Sequence, residues 1–193
     1  KLNELGVDMP ATWGIIFTKL AYNSPIINWY VRKVDLNREI TNDEMKILLG
    51  DFYSPTVKKN ALSSLKETIR LSPIGCLIGQ GRCEMKGKVI TSITRYGWQE
   101  PDSLVMLYTL YLYAEHSDSL YSFTLSELMD DSDEREAMSP RLIFGVDAEI
   151  LRPILQGLAH DYPDYIQVDF NNNLMENIFL NRDKKSADIA ALL

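Results

Sequence analysis

The stretch from Ser54 to Tyr96 constrains the fold more than any other. Ser54 is a natural helix N-cap, and Pro55 suits the first helical position, where its missing N–H would have had no partner. Apolar residues then fall at Val57, Ala61, Leu62, Leu65 and Ile69, the spacing of one helix face. Lys59, Ser63, Lys66 and Arg70 recur on another face. Ser72-Pro73 ends the pattern, and a glycine-punctuated, strand-like segment carrying Arg82, Lys86, Lys88 and Arg95 follows. A capped helix with a basic stripe and then a ribbon predicts a winged helix-turn-helix.

The flanking segments extend this expectation. Met9-Pro10 leads into a helix with Trp13, Ile16, Phe17 and Leu20 on one face, and Ser24-Pro25 starts a second with Ile27, Tyr30, Val31 and Val34. Thr41-Asn-Asp-Glu44 is a capping box that opens a short helix with Met45, Leu48 and Leu49 inward. After Gly97–Pro101, read as a joint, Asp102 or Ser103 caps a helix that is apolar almost all round, and Thr124-Leu-Ser-Glu127 is a second capping box. Ser139–Val146 reads as a short strand or turn. Asp147 is expected to cap the next helix, which Pro153 should kink or delay. Residues 165–170 alternate as a strand, Asn171-Asn172-Asn173 is a turn, and Leu174–Leu180 returns. The fold class expected is mainly α with small β-hairpins, arranged as two tandem winged-helix-like units. The first, 1–98, is basic with an extra N-terminal helix. The second, 99–193, is acidic with a C-terminal tail helix.

Charge separates the halves. Residues 1–100 hold 14 Lys/Arg against 10 Asp/Glu, whereas 101–193 hold 6 against 17, within a net charge of −7. An acidic whole disfavours nonspecific nucleic-acid binding, and a basic module still permits local phosphate contact. The longest apolar run, Leu104–Ala114, has 11 residues, and a bilayer span needs about 20, so no membrane is expected. Two cysteines, Cys76 and Cys83, give no disulfide framework. A reducing cytoplasmic location follows as the expectation.

Four runs carry a resemblance: RYGWQEPDSLVMLYTLYLYAE at 95–115, FTLSEL at 123–128, SPRLIFGVDAEILRPILQGL at 139–158 and DYIQVDFNNNLMENIFL at 164–180. They resemble the bacterial domain of unknown function 4007 family. The helix at 10–22, NWY at 28–30 and SPTVKKNALSSLKETI at 54–69 fit its first half. The resemblance implies that this chain is the C-terminal part of a longer protein whose N-terminal segment has its own helix-turn-helix-like stretch. It also implies a setting beside phosphoadenosine-phosphosulfate-reductase-like proteins and DNA-modification (phosphorothioation) and phage-defence systems. It implies no catalytic residues.

The residues themselves offer one strong candidate and several weak ones. Lys58, Lys59, Lys66, Arg70, Lys86, Lys88 and Arg95 are expected to touch phosphates, with Asn60, Ser63 and Ser64 nearer base edges. A solvated face on a protein-interaction module is the bland alternative. The Cys-x6-Cys spacing and the distant His116 and His160 do not read as a zinc site. Cys83 beside Arg82 is the one place where a thiol of lowered pKa is conceivable. The acidic run 130–136 reads as a solvated loop, the two histidines as structural at helix C-termini, and Gly79-Gln-Gly81 completes neither nucleotide fingerprint. No catalytic residue, metal ligand or cofactor is assigned. The expected function is a non-enzymatic DNA-binding or adaptor protein, with double-stranded DNA and a protein from the same operon as partners. The acidic half would contact the partner or imitate nucleic-acid charge. A scaffold without DNA binding is the alternative, and a sulfur-transfer accessory acting through Cys83 is the second alternative.

Overall fold

The computed structural model describes residue 6 and residues 8–51, 53–118, 120–130, 136–171 and 174–193. Among them are ten helices and two antiparallel three-stranded sheets. In chain order these are α1 (Pro10–Asn23), α2 (Pro25–Lys33), β1 (Glu39–Thr41), α3 (Asn42–Leu48), α4 (Pro55–Leu71), α5 (Ile74–Leu77), β2 (Arg82–Lys86), β3 (Val89–Thr94), α6 (Ser103–His116), β4 (Ser122–Thr124), α7 (Leu125–Leu128), α8 (Pro140–Phe144), α9 (Ala148–Asp161), β5 (Ile166–Asn171), β6 (Leu174–Leu180) and α10 (Ser186–Ala190).

The two halves share one connectivity. Each runs helix, short strand, capped short helix, longer helix, hairpin; the first half adds α1 in front and α5 before its hairpin, and the second adds α8 between α7 and α9. Each sheet places its last strand in the middle: β1-β3-β2 and β4-β6-β5. The capping boxes account for the junctions. Thr41 ends β1 and caps α3, with its hydroxyl accepting from Glu44 N while the Glu44 carboxylate accepts from Thr41 N at 2.8 Å. Thr124 and Glu127 repeat this between β4 and α7, at 2.7 Å. Each box satisfies two helix-end donors that would otherwise have none. The residue before each cap, Ile40 or Phe123, is buried.

The packing runs across both halves. α6 has nine of its 14 residues buried and lies at the centre. α1 crosses it, with Thr18 Oγ1 3.3 Å from Thr109 Oγ1, and Gly14 admits the Trp98 ring and Val105. A single cluster of buried apolar side chains spans both halves. Of the joint read at Gly97–Pro101, Gly97 and Trp98 are buried, Trp98 within that cluster, while Gln99 and Glu100 are exposed. A Cβ on Gly97 would sit 2.5 Å from Gly145 O, so the backbones meet there with no room for a side chain.

Several local expectations need correction. Ser139–Val146 is neither strand nor turn. Ser139 Oγ accepts from Leu142 N at 3.1 Å, Pro140 opens α8, and Gly145, at φ +65°, ends it. This is a complete cap-to-cap helix, too short to show a period. Asp147 makes no side-chain cap for α9, because its carboxylate pairs with Arg141. Pro153 sits inside an uninterrupted α9, on its exposed side. The acidic run 131–135 and the turn residues Asn172 and Asn173 lie outside the described residues.

Candidate nucleic-acid interface

The sequence places the basic stripe on α4, and the structure divides it into two populations. Leu62, Leu65 and Ile69 bury one face of the helix. Lys59, Asn60 and Ser63 stand on its exposed side, and Lys86 and Lys88 flank Gly87 at the β2–β3 turn. Gly87 has φ +65° with open space around it, which suits a tight hairpin turn. Lys59, Lys86 and Lys88 have no carboxylate partner among the described residues. Arg70 is exposed but holds Glu67 through two hydrogen bonds of 2.7 and 3.1 Å. Lys58 lies 3.7 Å from Asp51, with its side chain only 14% exposed.

Two expected contacts are structural instead. Arg95 is buried. Its Nη1 donates to Val31 O and Val34 O at 2.7 and 3.0 Å, and its Nη2 donates to Leu142 O and Ile143 O. The guanidinium therefore ties α2 and the β3 end to α8, where a duplex has no access. Its fork of donors suits several fixed carbonyls at once. Gln80 is a second bridge: fully buried, its side-chain amide N–H donates to Phe144 O at 2.7 Å while its backbone carbonyl accepts from Tyr30 Oη.

Lys66 is the other. It is 9% exposed and donates to Asn42 Oδ1 at 2.6 Å and Ile90 O at 3.2 Å. Burial lowers its pKa from the ordinary lysine value. Spacing along α4 puts Lys66 in register with Lys59, but the partners that turn it inward come from α3 and β3. Lys66 forms the floor of a cleft of about 570 Å³ that Asn42, Lys46, Lys58, Lys59, Ser63 and Val89 also line. Lys46, on α3, was missed by the sequence reading. Its only signal there is a lysine off the apolar face of a capping-box helix.

The two cysteines are free thiols in different surroundings. Cys76 is exposed and Cys83 is half-buried, with its Sγ 3.5 Å from Lys66 O. Burial, the largest influence, pushes the Cys83 thiol up to about 11, the reverse of the lowered pKa expected from Arg82 next door. His116 stacks on Tyr22 at 4.3 Å, and His160 lies in the last turn of α9. Among the described residues no group of three or more His, Cys, Asp or Glu is placed to hold a metal ion. No described helix is long and apolar enough to cross a membrane.

A second surface adjoins the basic cleft, and Lys58 lines both. Pro25, Ile26, Trp29, Leu49, Tyr53 and Val57 line an apolar cleft of about 280 Å³ where α2 meets the start of α4. Tyr53 and Val57 are each about half exposed. Comparison with protein-family models, with curated proteins and with solved structures gives no match.

Proposed function

We propose that the protein is a non-enzymatic DNA-binding or adaptor protein whose first half is a winged-helix-like unit, with α4 as the recognition helix and the β2–β3 turn as the wing. The second half is a winged-helix-like unit of opposite charge. One observation carries the reading. Lys59, Lys86 and Lys88 are exposed cations without carboxylate partners among the described residues, placed on the helix and on the turn that would flank a groove, and Asn60 and Ser63 are exposed on the same helix. Cations so placed hold phosphates, and short polar side chains on the same helix reach base edges. The setting in DNA modification and phage defence is taken from the resemblance to the domain of unknown function 4007 family.

The test is fluorescence anisotropy with labelled duplex at about 50 and 200 mM salt. Binding should weaken steeply between the two, because each neutralised phosphate releases counterions. Lys59→Ala, Lys86→Ala and Lys88→Ala together should lower the log–log salt slope by about 0.9 per lysine removed. All three are exposed, so the fold should hold. Binding by the triple variant equal to wild type sinks the interface.

The apolar cleft at Trp29 and Tyr53 favours a second reading, a protein–protein scaffold. Exposed aromatic and aliphatic side chains around a concave site mark interaction surfaces. That reading predicts no duplex binding even at the lower salt, and a partner whose capture is lost in Trp29→Ala.

A further inference from the structure

Lys66 poses a problem that the DNA reading leaves open. Buried charges are ordinarily paired with an opposite charge. Lys66 is nine-tenths buried, yet among the described residues its ammonium has a neutral amide oxygen and a backbone carbonyl as acceptors. An ammonium carries three donors, and the two partners named leave one over. The carboxylates around it do not answer it. Glu67, which acts on the ammonium through space, holds Arg70 at 2.7 Å. Asp43 pairs with Lys46 at 2.7 Å and Asp51 with Lys58, and their side chains are 87% and 110% exposed, outside the cleft mouth.

The same cleft gathers Lys46, Lys58 and Lys59, so four lysines converge on it, with Asn42 and Ser63 as further polar groups. Leu62, Pro55 and Val89 supply an apolar wall. Its volume of about 570 Å³ falls within the range of small-molecule sites, about 300–1,000 Å³. An exposed helix stripe needs no concavity and no buried cation; a pocket for a compact anion needs both.

We infer that the cleft between α3, α4 and the β2–β3 turn is a phosphoryl-binding pocket, with Lys66 at its floor supplying the counter-charge to a phosphate oxygen and Lys46, Lys58 and Lys59 holding the rest of the group. The phosphoryl group is carried either by a strand of nucleic acid seated on the proposed interface or by a free oligophosphate. The pocket rests on the DNA-binding reading for the first source alone.

The experiment is isothermal titration calorimetry with inorganic triphosphate at low salt, on wild type, Lys66→Met and the exposed double variant Lys46→Gln/Lys59→Gln. Labelled duplex is titrated in parallel by anisotropy, and circular dichroism confirms each fold. Triphosphate should bind wild type with one site per chain. Each variant should weaken it about 10- to 100-fold, the worth of a lost charge-assisted hydrogen bond. Should Lys66→Met fail to fold, the double variant alone decides. Triphosphate that also displaces duplex supports the pocket with nucleic acid as the source. Triphosphate binding without any duplex binding supports the pocket with a free oligophosphate and sinks the DNA reading. Duplex binding with no triphosphate binding, and no effect of Lys66→Met on duplex, overturns the pocket and leaves the DNA reading standing. No wild-type binding of either probe overturns both.

Discussion

The two halves are one design executed with opposite charge. Their sheets correspond residue for residue: Thr41 pairs with Ser92 and Ser92 with Glu84, as Thr124 pairs with Asn177 and Asn177 with Asp169. Even the hairpin irregularity recurs at the matching step, between Glu84 and Met85 in one and between Asp169 and Phe170 in the other. The helices before the hairpins differ. α4 exposes Lys59, Asn60 and Ser63, whereas α9 exposes Pro153, Gln156, Gly157 and Asp161. Cap placement and buried positions thus set the connectivity, and the outward residues are free to carry any charge. The duplex-binding role proposed for the first half does not transfer to the second by its shape.

The sharpest way to break the comparison is to separate the halves. Gly97 and Gly145 touch backbone to backbone, and a side chain at Gly145 would also meet Leu36 at 2.6 Å. Gly97→Val should cost about 3 kcal/mol or more, since the atoms it strikes are main chain and cannot step aside. Because one core spans both halves, urea unfolding should remain a single transition for wild type, followed by tryptophan fluorescence and by circular dichroism. Two separated transitions in wild type would mean that the halves fold as independent units after all.

How much of this the sequence carried follows from interaction range. Thr41–Glu44, Thr124–Glu127, Ser54 and Asp102 all cap as read, because their partners lie within four residues, whereas the Asp147 carboxylate goes to Arg141, six residues away. Lys66 and Arg95 were visible as cations but not as buried ones. Their acceptors are Asn42 and Ile90, or Val31 and Leu142, at separations of 24 to 64 residues, and helical spacing has no knowledge of these. α8 was missed for the opposite reason. At five residues it is shorter than any periodic signal, although Ser139-Pro140 and Gly145 mark its two ends. The basic cleft needed three elements brought together, and only Lys58, Lys59, Ser63 and Lys66 could be drawn from one of them.

A middle-sized effect bears on the helices that differ most. Pro153 lacks the N–H that would bond to Glu149 O within α9, and α4 has no such interruption after Pro55. Pro153→Ala should stabilise the protein by about 1–2 kcal/mol, less than the full helix-interior penalty of proline because the unfolded chain also gains freedom. Thermal unfolding reads it. A loss of stability instead would show that α9 tolerates proline by a geometry that alanine cannot reproduce, and the likeness of α4 and α9 would then be one of order alone.

The smallest effects test the likeness most closely, because they compare the same device in both halves. Thr41→Ala and Thr124→Ala each remove the hydroxyl that accepts from the N3 amide, leaving that donor to water, and each should cost about 1 kcal/mol. α3 has seven residues and α7 only four, so intrinsic helix stability would make the costs unequal. Equality is expected nonetheless. Neither helix stands by its own hydrogen bonds; each is held by the strand that ends at its cap and by the buried Met45 or Leu128 on its inner face. The two sites lie in separate sheets with no shared partner, so the double variant should lose the sum of the single losses. A Thr124→Ala cost near zero would mean that α7 is a turn held by its neighbours, and the second half would then match the first in strand order without sharing its helix-capping logic.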